Sequence, residues 1–184
     1  MIYKKFWNTS LDVIKRSLEN TWVKWVHEVD GIVRCFECLQ LDDCYFMEMN
    51  APECPLHEKC HCHLESIDYA IVQRCATANS NYKKFDPYLF NTNQAYFHGK
   101  EKLFAKWGYT VEDAKWLQAE MERQAREKYI VGDYVLGRLD VFGQRIKITI
   151  EIPRRTGEGT VSFISGWMVQ PKGELKLNTP YGGK

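Results

Sequence analysis

The sequence lacks a long hydrophobic run, an excess of charge of either sign and an export signal. No stretch of about 18 or more apolar residues occurs, so a transmembrane helix is excluded and we expect no membrane partner. The formal net charge is +1, from 25 basic and 24 acidic residues, so bulk charge favours neither nucleic-acid binding nor an acidic mimic of DNA. The start, Met1 to Lys5, has no apolar signal core, and we therefore predict a cytoplasmic protein.

Cysteine, in contrast, is abundant and concentrated in one segment. Six of the seven cysteines and three of the five histidines lie between Cys35 and His63. An odd number of cysteines in a chain without an export signal favours thiolate or metal chemistry over disulfides. The alternative interpretation is that these residues are reduced, partly buried thiols with no ligand.

The spacing within this segment is typical of a metal site. Cys35-x-x-Cys38 allows two thiolates to reach one ion from a tight turn, and His57-x-x-Cys60 repeats that spacing. Cys62 competes with Cys60, because residues two apart rarely both reach one metal. We predict a zinc ion held by Cys35, Cys38, His57 and either Cys60 or Cys62. The His-x-Glu and Pro-Cys-x-x-Cys pattern of zinc deaminases is absent, so a structural zinc is expected rather than a catalytic one.

The N-terminal half is predicted to contain a helix, an irregular loop and a second short helix. A first helix over 9–29 is indicated by apolar residues three or four apart, namely Leu11, Ile14, Leu18, Trp22 and Val26. Residues 31–63 show no sustained period, which predicts a loop that the metal holds together. Residues 64–75 are expected to be a short helix. Residues 76–93 resemble a linker, and we place a helical zinc-binding module at 1–78 and a second domain at 82–184.

The C-terminal half has stronger periodicity. Helices are predicted from His98 to Trp107 and, behind a capping box at Thr110, over 111–130. Four strands follow at 134–141, 145–152, 160–169 and 174–179, and short turns between them imply an antiparallel meander. The predicted fold class is therefore α+β: an N-terminal helix and a zinc-stapled Cys/His loop, then two helices packed on a four-stranded antiparallel sheet.

Two resemblances to known families accompany these patterns. Over residues 30–66, Cys35-x-x-Cys38 followed by Pro55-Leu56-His57-x-x-Cys60-x-Cys62 resembles the element that closes phage Mu F-like head-morphogenesis domains, although the helical body of that family is missing. The second covers 82–184 and rests on ordered fragments: Tyr88-Leu89-Phe90-Asn91, Gly99-Lys100, Leu103-Phe104, Gly108-Tyr109, Gly132-Asp133-Tyr134, Gly143-Gln144-Arg145, Ser165-Gly166-Trp167 and Thr179-Pro180-Tyr181. They resemble an uncharacterised domain at the C-termini of bacterial polymorphic toxins and phage head proteins. Its arrangement is similar to the barnase, EndoU, colicin and RelE-like ribonucleases, which is an analogy of fold alone.

The ribonuclease analogy suggests a set of catalytic residues. Metal-independent RNA cleavage needs a base for the 2′-hydroxyl and a cation for the charged phosphate. We assign His98 as the base, Lys100 and Arg145 as phosphate contacts, and Tyr181 as an orienting hydroxyl. The competing interpretation is that these are surface and strand-face residues without a catalytic role, so it stays open whether the protein is an enzyme.

A binding role is the function that the sequence favours over an enzyme. A chain that starts at its own Met1 without a delivery domain is expected to be a phage or prophage accessory protein that inhibits a host defence nuclease, in the manner of an anti-CRISPR protein. Its partner would be a host protein or a protein–nucleic acid complex in the bacterial cytoplasm, with RNA as the alternative ligand. Candidate interface residues are Tyr3, Phe6, Trp7 and the Arg154-Arg155 turn. A phage head-associated role is the third alternative, and the oligomeric state is not predicted.

Overall fold

The computed structural model describes residues 21–28, 36–58, 60–90 and 99–182, which form two β-sheets and four helices. The strands are β1 (Trp22–Val26), β2 (Tyr45–Met47), β3 (His63–Ile67), β4 (Thr77–Asn79), β5 (Val135–Asp140), β6 (Gly143–Pro153), β7 (Thr160–Val169) and β8 (Glu174–Thr179). The α-helices are α1 (Phe36–Leu41), α2 (Tyr69–Cys75), α3 (Lys100–Lys106) and α4 (Ala114–Ile130). The predicted α+β class is confirmed.

The larger sheet has five strands in the order β4-β8-β7-β6-β5. Its last four strands are the predicted antiparallel meander, each within about two residues of its predicted ends. The prediction of a four-stranded sheet is wrong in one respect, because β4 pairs in parallel with β8 and adds a fifth strand. This strand is only three residues long, too short for a recognisable alternating pattern.

The alternation in β6 decides which face of this sheet is buried. Ile146, Ile148, Ile150 and Ile152 are fully buried, whereas Lys147, Thr149 and Glu151 are exposed. Helix α4 covers the isoleucine face with its own buried stripe, which includes Leu117, Met121 and Ala125. The opposite face, which carries Lys147, is called the outer face below.

The smaller sheet has the order β2-β1-β3, with both pairs antiparallel. The predicted helix over 9–29 is wrong at its C-terminal end, because Trp22–Val26 form β1. Trp22, Val23 and Trp25 are all buried, and aromatic and β-branched side chains fit a half-buried strand better than a helix. Residues 9–20 of that prediction lie outside the described residues.

The segment between the sheets is more ordered than predicted. The short helix predicted over 64–75 begins only at Tyr69, since His63–Ile67 pair with β1. The linker predicted over 76–93 contains β4, and Phe85 and Leu89 are fully buried. Residues 91–93 lie outside the described part.

The two sheets share one hydrophobic core. The Tyr134 hydroxyl accepts a hydrogen bond from the Met47 backbone N–H at 3.0 Å, and Cys44 forms a β-bridge with Pro171. The division into domains at 1–78 and 82–184 stays a prediction. Within the part of the chain that the structure describes, every helix is too short or too polar to span a bilayer.

Candidate metal centre and outer sheet face

Three thiols from two distant segments converge beside the smaller sheet. The sulfur atoms of Cys38, Cys60 and Cys62 all lie within 4.8 Å of one another, and those of Cys38 and Cys60 are 3.4 Å apart. This separation is far longer than the roughly 2.05 Å of a disulfide, so the cysteines are reduced. Cys38 and Cys62 are buried, which removes the thiols from solvent. The cluster can hold a metal ion.

Local structure explains why these three thiols meet. Cys38 is the buried residue near the middle of α1, while its neighbours Phe36 and Leu39 point outward. Cys60 and Cys62 lie in the non-helical stretch that leads into β3. In an extended chain, residues two apart point to the same side. The structure brings the sulfur atoms of both Cys60 and Cys62 close to that of Cys38, so the two cysteines are not alternatives by position.

Two histidines flank the thiols. His57 Nε2 lies 3.7 Å from the Cys38 sulfur, as expected for a predicted ligand. His27 Nδ1 lies 3.2 Å from the Cys62 sulfur, and the sequence did not point to it. His27 follows β1 and is part of neither spacing motif, so only the pairing of β1 with β3 brings it to Cys62. The predicted ligand Cys35 lies outside the described residues.

The surroundings shift the thiol pKa values in opposite directions. Burial acts to raise the pKa of Cys60, but hydrogen bonds from the Cys62 and Leu56 backbones and from the Cys38 thiol outweigh it, so the pKa is lowered. Burial raises the pKa of Cys62, and the neighbouring Cys60 thiol adds to this effect. The Cys38 thiol and the Trp25 indole lower the pKa of Cys62, but they offset the effect of burial only in part. The Trp25 indole N–H has no partner within hydrogen-bond geometry.

The remaining cysteines near the cluster have other environments. Cys54 donates to the Cys62 carbonyl at 3.3 Å, and burial raises its pKa. Cys44 is fully buried in the core, where desolvation raises the pKa of its thiol to about 12. A thiol with that pKa is protonated at neutral pH and is a poor metal ligand. Of the five cysteines that the structure describes in this segment, three therefore form the cluster.

The donor separations fit a tetrahedral zinc ion. Zn–S bonds of about 2.3 Å and Zn–N bonds of about 2.0–2.1 Å place neighbouring ligand atoms about 3.5–3.8 Å apart. The observed separations are 3.4 Å between Cys38 and Cys60, 3.7 Å between Cys38 and His57, and 3.2 Å between Cys62 and His27. These three separations lie within a few tenths of an ångström of that range, and the remaining sulfur pairs of the cluster lie within 4.8 Å of each other.

Two of the four predicted catalytic residues come together at the edge of the larger sheet. Lys100 Nζ donates to the Thr179 hydroxyl at 3.2 Å and to the Tyr88 hydroxyl at 3.3 Å. The Thr179 hydroxyl in turn donates to the Tyr181 carbonyl at 3.0 Å. Lys100 also lies over the Tyr88 ring, 5.3 Å from its centroid. The chain thus holds a lysine ammonium group between two hydroxyl groups, and the backbone of Tyr181 is hydrogen-bonded to one of them.

The other two predicted catalytic residues do not join this group. His98 lies outside the described residues. Arg145 forms an ion pair with Asp140, with Nη2 and Oδ2 2.9 Å apart, at the turn between β5 and β6. The residue that the register brings level with Thr179 is Lys147, because both pair with Gly166 on β7. The alternation in the sequence predicted the face on which Lys147 lies, but it did not show that Lys147 is level with Thr179.

Gly166 lies between Lys147 and Thr179 on the outer face, and it has no side chain to cover the backbone there. Two strand spacings separate these residues, about 10 Å. A Cβ atom at Gly166 would lie 3.0 Å from the Thr179 methyl group, so a larger residue there would have to displace that side chain by a few tenths of an ångström. Beside it is a cleft of about 450 Å³, which is lined by residues that include Trp107, Ser162 and Tyr181.

A second concavity of about 820 Å³ lies further along β8, and we call it the apolar groove. Its lining includes Phe36, Lys84, Phe142, Met168, Lys176 and Asn178. Phe36 and Phe142 are 53% and 67% exposed, which is unusual for phenylalanine. Lys84 Nζ donates to the Asn178 carbonyl at 2.7 Å, one residue before Thr179. The groove and the Lys100 group are therefore adjacent.

The candidate interface residues from the sequence have mixed outcomes. Tyr3, Phe6 and Trp7 lie outside the described part. Arg155 is engaged within the fold, since its guanidinium lies 4.3 Å from the Trp116 ring centroid and Arg155 Nε lies 3.2 Å from Asp113 Oδ1.

The fold and the site together define an α+β protein with a thiol cluster beside one sheet and a lysine held by hydroxyl groups at the edge of the other. A family model described as a domain of unknown function (DUF6883) matches residues 72–184. This match covers more than half of the chain, so the chain belongs to that family. It includes the whole five-stranded sheet and excludes the three thiols of the cluster. No curated protein and no solved structure matches the chain.

Proposed function

We propose that this protein binds single-stranded RNA on the outer face of its larger sheet and cleaves it. The observation that carries the proposal is the Lys100 ammonium group, held by Tyr88 and Thr179 beside Tyr181. A cation held by neutral hydroxyls keeps its full charge for a phosphate, unlike Arg145, which an adjacent carboxylate neutralises.

The neighbouring surface suits an RNA strand. Exposed aromatic rings stack on bases, while lysines follow the backbone, and this combination is typical of single-strand binding. The apolar groove offers Phe36 and Phe142 for stacking and Lys84 and Lys176 at its rim. Because the groove is adjacent to the Lys100 group, bases bound there would bring the following phosphate to Lys100.

The proposed reaction is a transesterification. The 2′-oxygen attacks the phosphorus atom, the bond to the 5′-oxygen breaks, and a cyclic 2′,3′-phosphate and a free 5′-hydroxyl result. Lys100 stabilises the added negative charge on the phosphate, and Tyr181 orients it. His98 remains the proposed base that takes the 2′-hydroxyl proton, and solvent water supplies the proton that the leaving 5′-oxygen accepts.

The test is RNA cleavage by the full chain and matched variants. Lys100→Ala and His98→Ala are each expected to reduce the rate by about 10²-fold or more. Lys106→Ala removes the same charge from an exposed position on α3 and is expected to cleave normally. Intact RNA at high concentrations of the wild-type protein would contradict the proposal.

We further propose that the metal of the thiol cluster is zinc and that its role is structural. Support comes from the three-thiolate donor set, which suits the borderline-soft zinc ion, and from the donor separations above. When bound, zinc would hold Cys38, Cys60 and Cys62 as thiolates. Elemental analysis of purified protein should give about one zinc per chain. A metal-free protein with full structure would contradict it.

A protein partner is the second candidate, and the exposed aromatics of the apolar groove favour it. Apolar patches of this kind mark protein interfaces, and aromatic residues dominate their energetics. In this alternative the protein docks on a host defence nuclease and inhibits it, as an anti-CRISPR protein does. Protection of phage or plasmid DNA in cells, lost in Phe142→Asp, would support inhibition; protection without RNA cleavage would favour it over the ribonuclease. The resemblance to toxin and phage head domains stays a prediction.

A further inference from the structure

The strand register places His27 directly against the thiol cluster. In the β1–β3 ladder, Trp25 pairs with Leu64 and Val26 pairs with His63. Continuing the ladder by one residue sets His27 opposite Cys62, and the 3.2 Å between Nδ1 and the sulfur agrees with this. The backbone N–H of His27 is anchored on Asp42 Oδ1 at 3.0 Å. A structured neighbour on each side therefore fixes the position of this imidazole.

We infer that His27 is a ligand of the metal through Nδ1, so that the residues that the structure describes contribute Cys38, Cys60, Cys62 and His27 to the site. This inference rests on the proposed zinc site. Three thiolates and one imidazole form a closed tetrahedral set, which is typical of structural zinc. In the metal-free protein the same contact is a hydrogen bond between the Cys62 thiol and the imidazole. Metal binding replaces the thiol proton with the ion.

A buried indole supports the assignment of Cys62 and His27 to one metal. Residues two apart on a strand share a face, so Trp25 lies on the same side of β1 as His27 and diagonally across from Cys62. Trp25 is fully buried, and its indole N–H has no hydrogen-bond partner. Buried donors of this kind are rare. A zinc-bound thiolate at Cys62 would supply an acceptor, as outer-shell donors commonly do around metal ligands.

The alternative ligand, His57, has a weaker claim. Its Nε2 atom lies 3.7 Å from the Cys38 sulfur, and it belongs to the irregular stretch before Cys60 rather than to a strand. With His27 bound to the ion, His57 is left to donate its N–H to the Cys38 thiolate from outside the coordination sphere. His27 thus coordinates the metal, whereas His57 forms a hydrogen bond with one of its ligands.

Cobalt(II) titration of the full chain separates the two histidines. His27→Ala is expected to weaken cobalt and zinc binding at least about tenfold and to change the tetrahedral cobalt d–d spectrum. His27→Cys should restore tight binding with stronger thiolate-to-cobalt charge transfer, because the site then has four sulfur ligands. His57→Ala removes only a hydrogen bond to one ligand, so it should weaken metal binding but keep the tetrahedral d–d spectrum of the bound cobalt. Circular dichroism checks that each variant folds.

Two results would overturn the assignment of His27. One is loss of the spectrum in His57→Ala with a normal spectrum in His27→Ala; the other is a normal spectrum in both variants. Nitrogen-15 NMR of wild-type protein with bound zinc gives an answer that needs no variant, because metal coordination shifts Nδ1 of His27 and leaves His57 uncoordinated. A wild-type protein that binds neither cobalt nor zinc overturns the zinc proposal itself, and with it the role of His27.

Discussion

The side-chain amide of Gln124 forms two hydrogen bonds with the backbone of Glu151. Gln124 Nε2 donates to the Glu151 carbonyl at 2.6 Å, and Gln124 Oε1 accepts from the Glu151 N–H at 3.0 Å. Strand β5 leaves β6 after the pairing of Val135 with Lys147, so Glu151 has no strand partner on that side. The amide replaces the missing strand, and it fixes α4 on the sheet that carries the outer face.

We expect Gln124→Leu to destabilise the protein by about 1–3 kcal/mol, because it leaves two backbone groups of β6 unsatisfied at a buried position. Urea unfolding measures the change in the free energy of unfolding. Lys115→Ala, at an exposed site of the same helix, should change it by less than about 0.5 kcal/mol. Equal stabilities of the two variants would show that the paired hydrogen bonds do not matter.

The C-terminal half could be predicted because its signals are local. The alternating isoleucines of β6 and the stripe of Leu117 and Met121 on α4 each specify the type of structure and the buried face within one element. The same local signal failed at Trp22–Val26. Their spacing fits a helix, but the strand is stabilised by pairing with β2 and β3, which follow more than fifteen residues later.

The metal site could be predicted only in part for the same reason. Sequence spacing predicted Cys35, Cys38, His57 and Cys60, with Cys62 as the alternative to Cys60, and Cys38, Cys60 and Cys62 form the cluster. It missed His27, because only the register between β1 and β3 brings that residue to Cys62. Likewise, alternation placed Arg145 on the outer face but did not reveal its ion pair with Asp140.

Removing the metal is expected to unfold the smaller sheet before the larger one. The ligands join α1, the stretch before β3 and the end of β1, so metal binding adds directly to the stability of these parts. Hydrogen exchange after chelation should show lost protection in Trp22–Val26 and His63–Ile67 while β6 and β7 remain protected. Cys38→Ser should give the same pattern, and Cys75→Ser should not. Uniform protection in the chelated protein would rule out a structural metal.

Acid should weaken the turn that holds Arg145. The backbone N–H of Phe142, together with Arg138 and Arg145, lowers the pKa of the Asp140 carboxyl below its usual 3.8. A lowered pKa in the folded state stabilises the protein above the ordinary pKa, and this contribution disappears as pH falls through the folded value. The free energy of unfolding of the Asp140→Asn variant should therefore fall less than that of the wild type when the pH drops below about 4. Urea unfolding across this range, with Asp133→Asn as control, measures it; identical slopes in both variants would contradict the assignment.

The apolar groove is expected to bind RNA through Phe142. This side chain is 67% exposed, so Phe142→Asp should leave the free energy of unfolding within about 0.5 kcal/mol of the wild type. Loss of one stacking platform should weaken binding of a short single-stranded RNA about tenfold or more. Fluorescence anisotropy measures the affinity. Phe142→Tyr keeps the ring and should bind normally, and Val111→Asp places the same charge at another exposed apolar position. Unchanged affinity in Phe142→Asp would exclude the groove as the RNA platform.

Thr179 and Lys100 should act as one unit. Thr179→Val preserves the shape of the side chain but removes the hydroxyl that accepts from Lys100 at 3.2 Å and donates to the Tyr181 carbonyl at 3.0 Å. We expect RNA cleavage to fall about tenfold, since the ammonium group loses the partner that positions it. In combination with Lys100→Ala, the second substitution should add little, because interacting residues give non-additive effects. Thr160→Val, at the exposed start of β7, should cleave normally. Additive losses, or full activity in Thr179→Val, would mean that Lys100 acts without this hydroxyl and that the hydrogen bond between Lys100 and Thr179 has no role in cleavage.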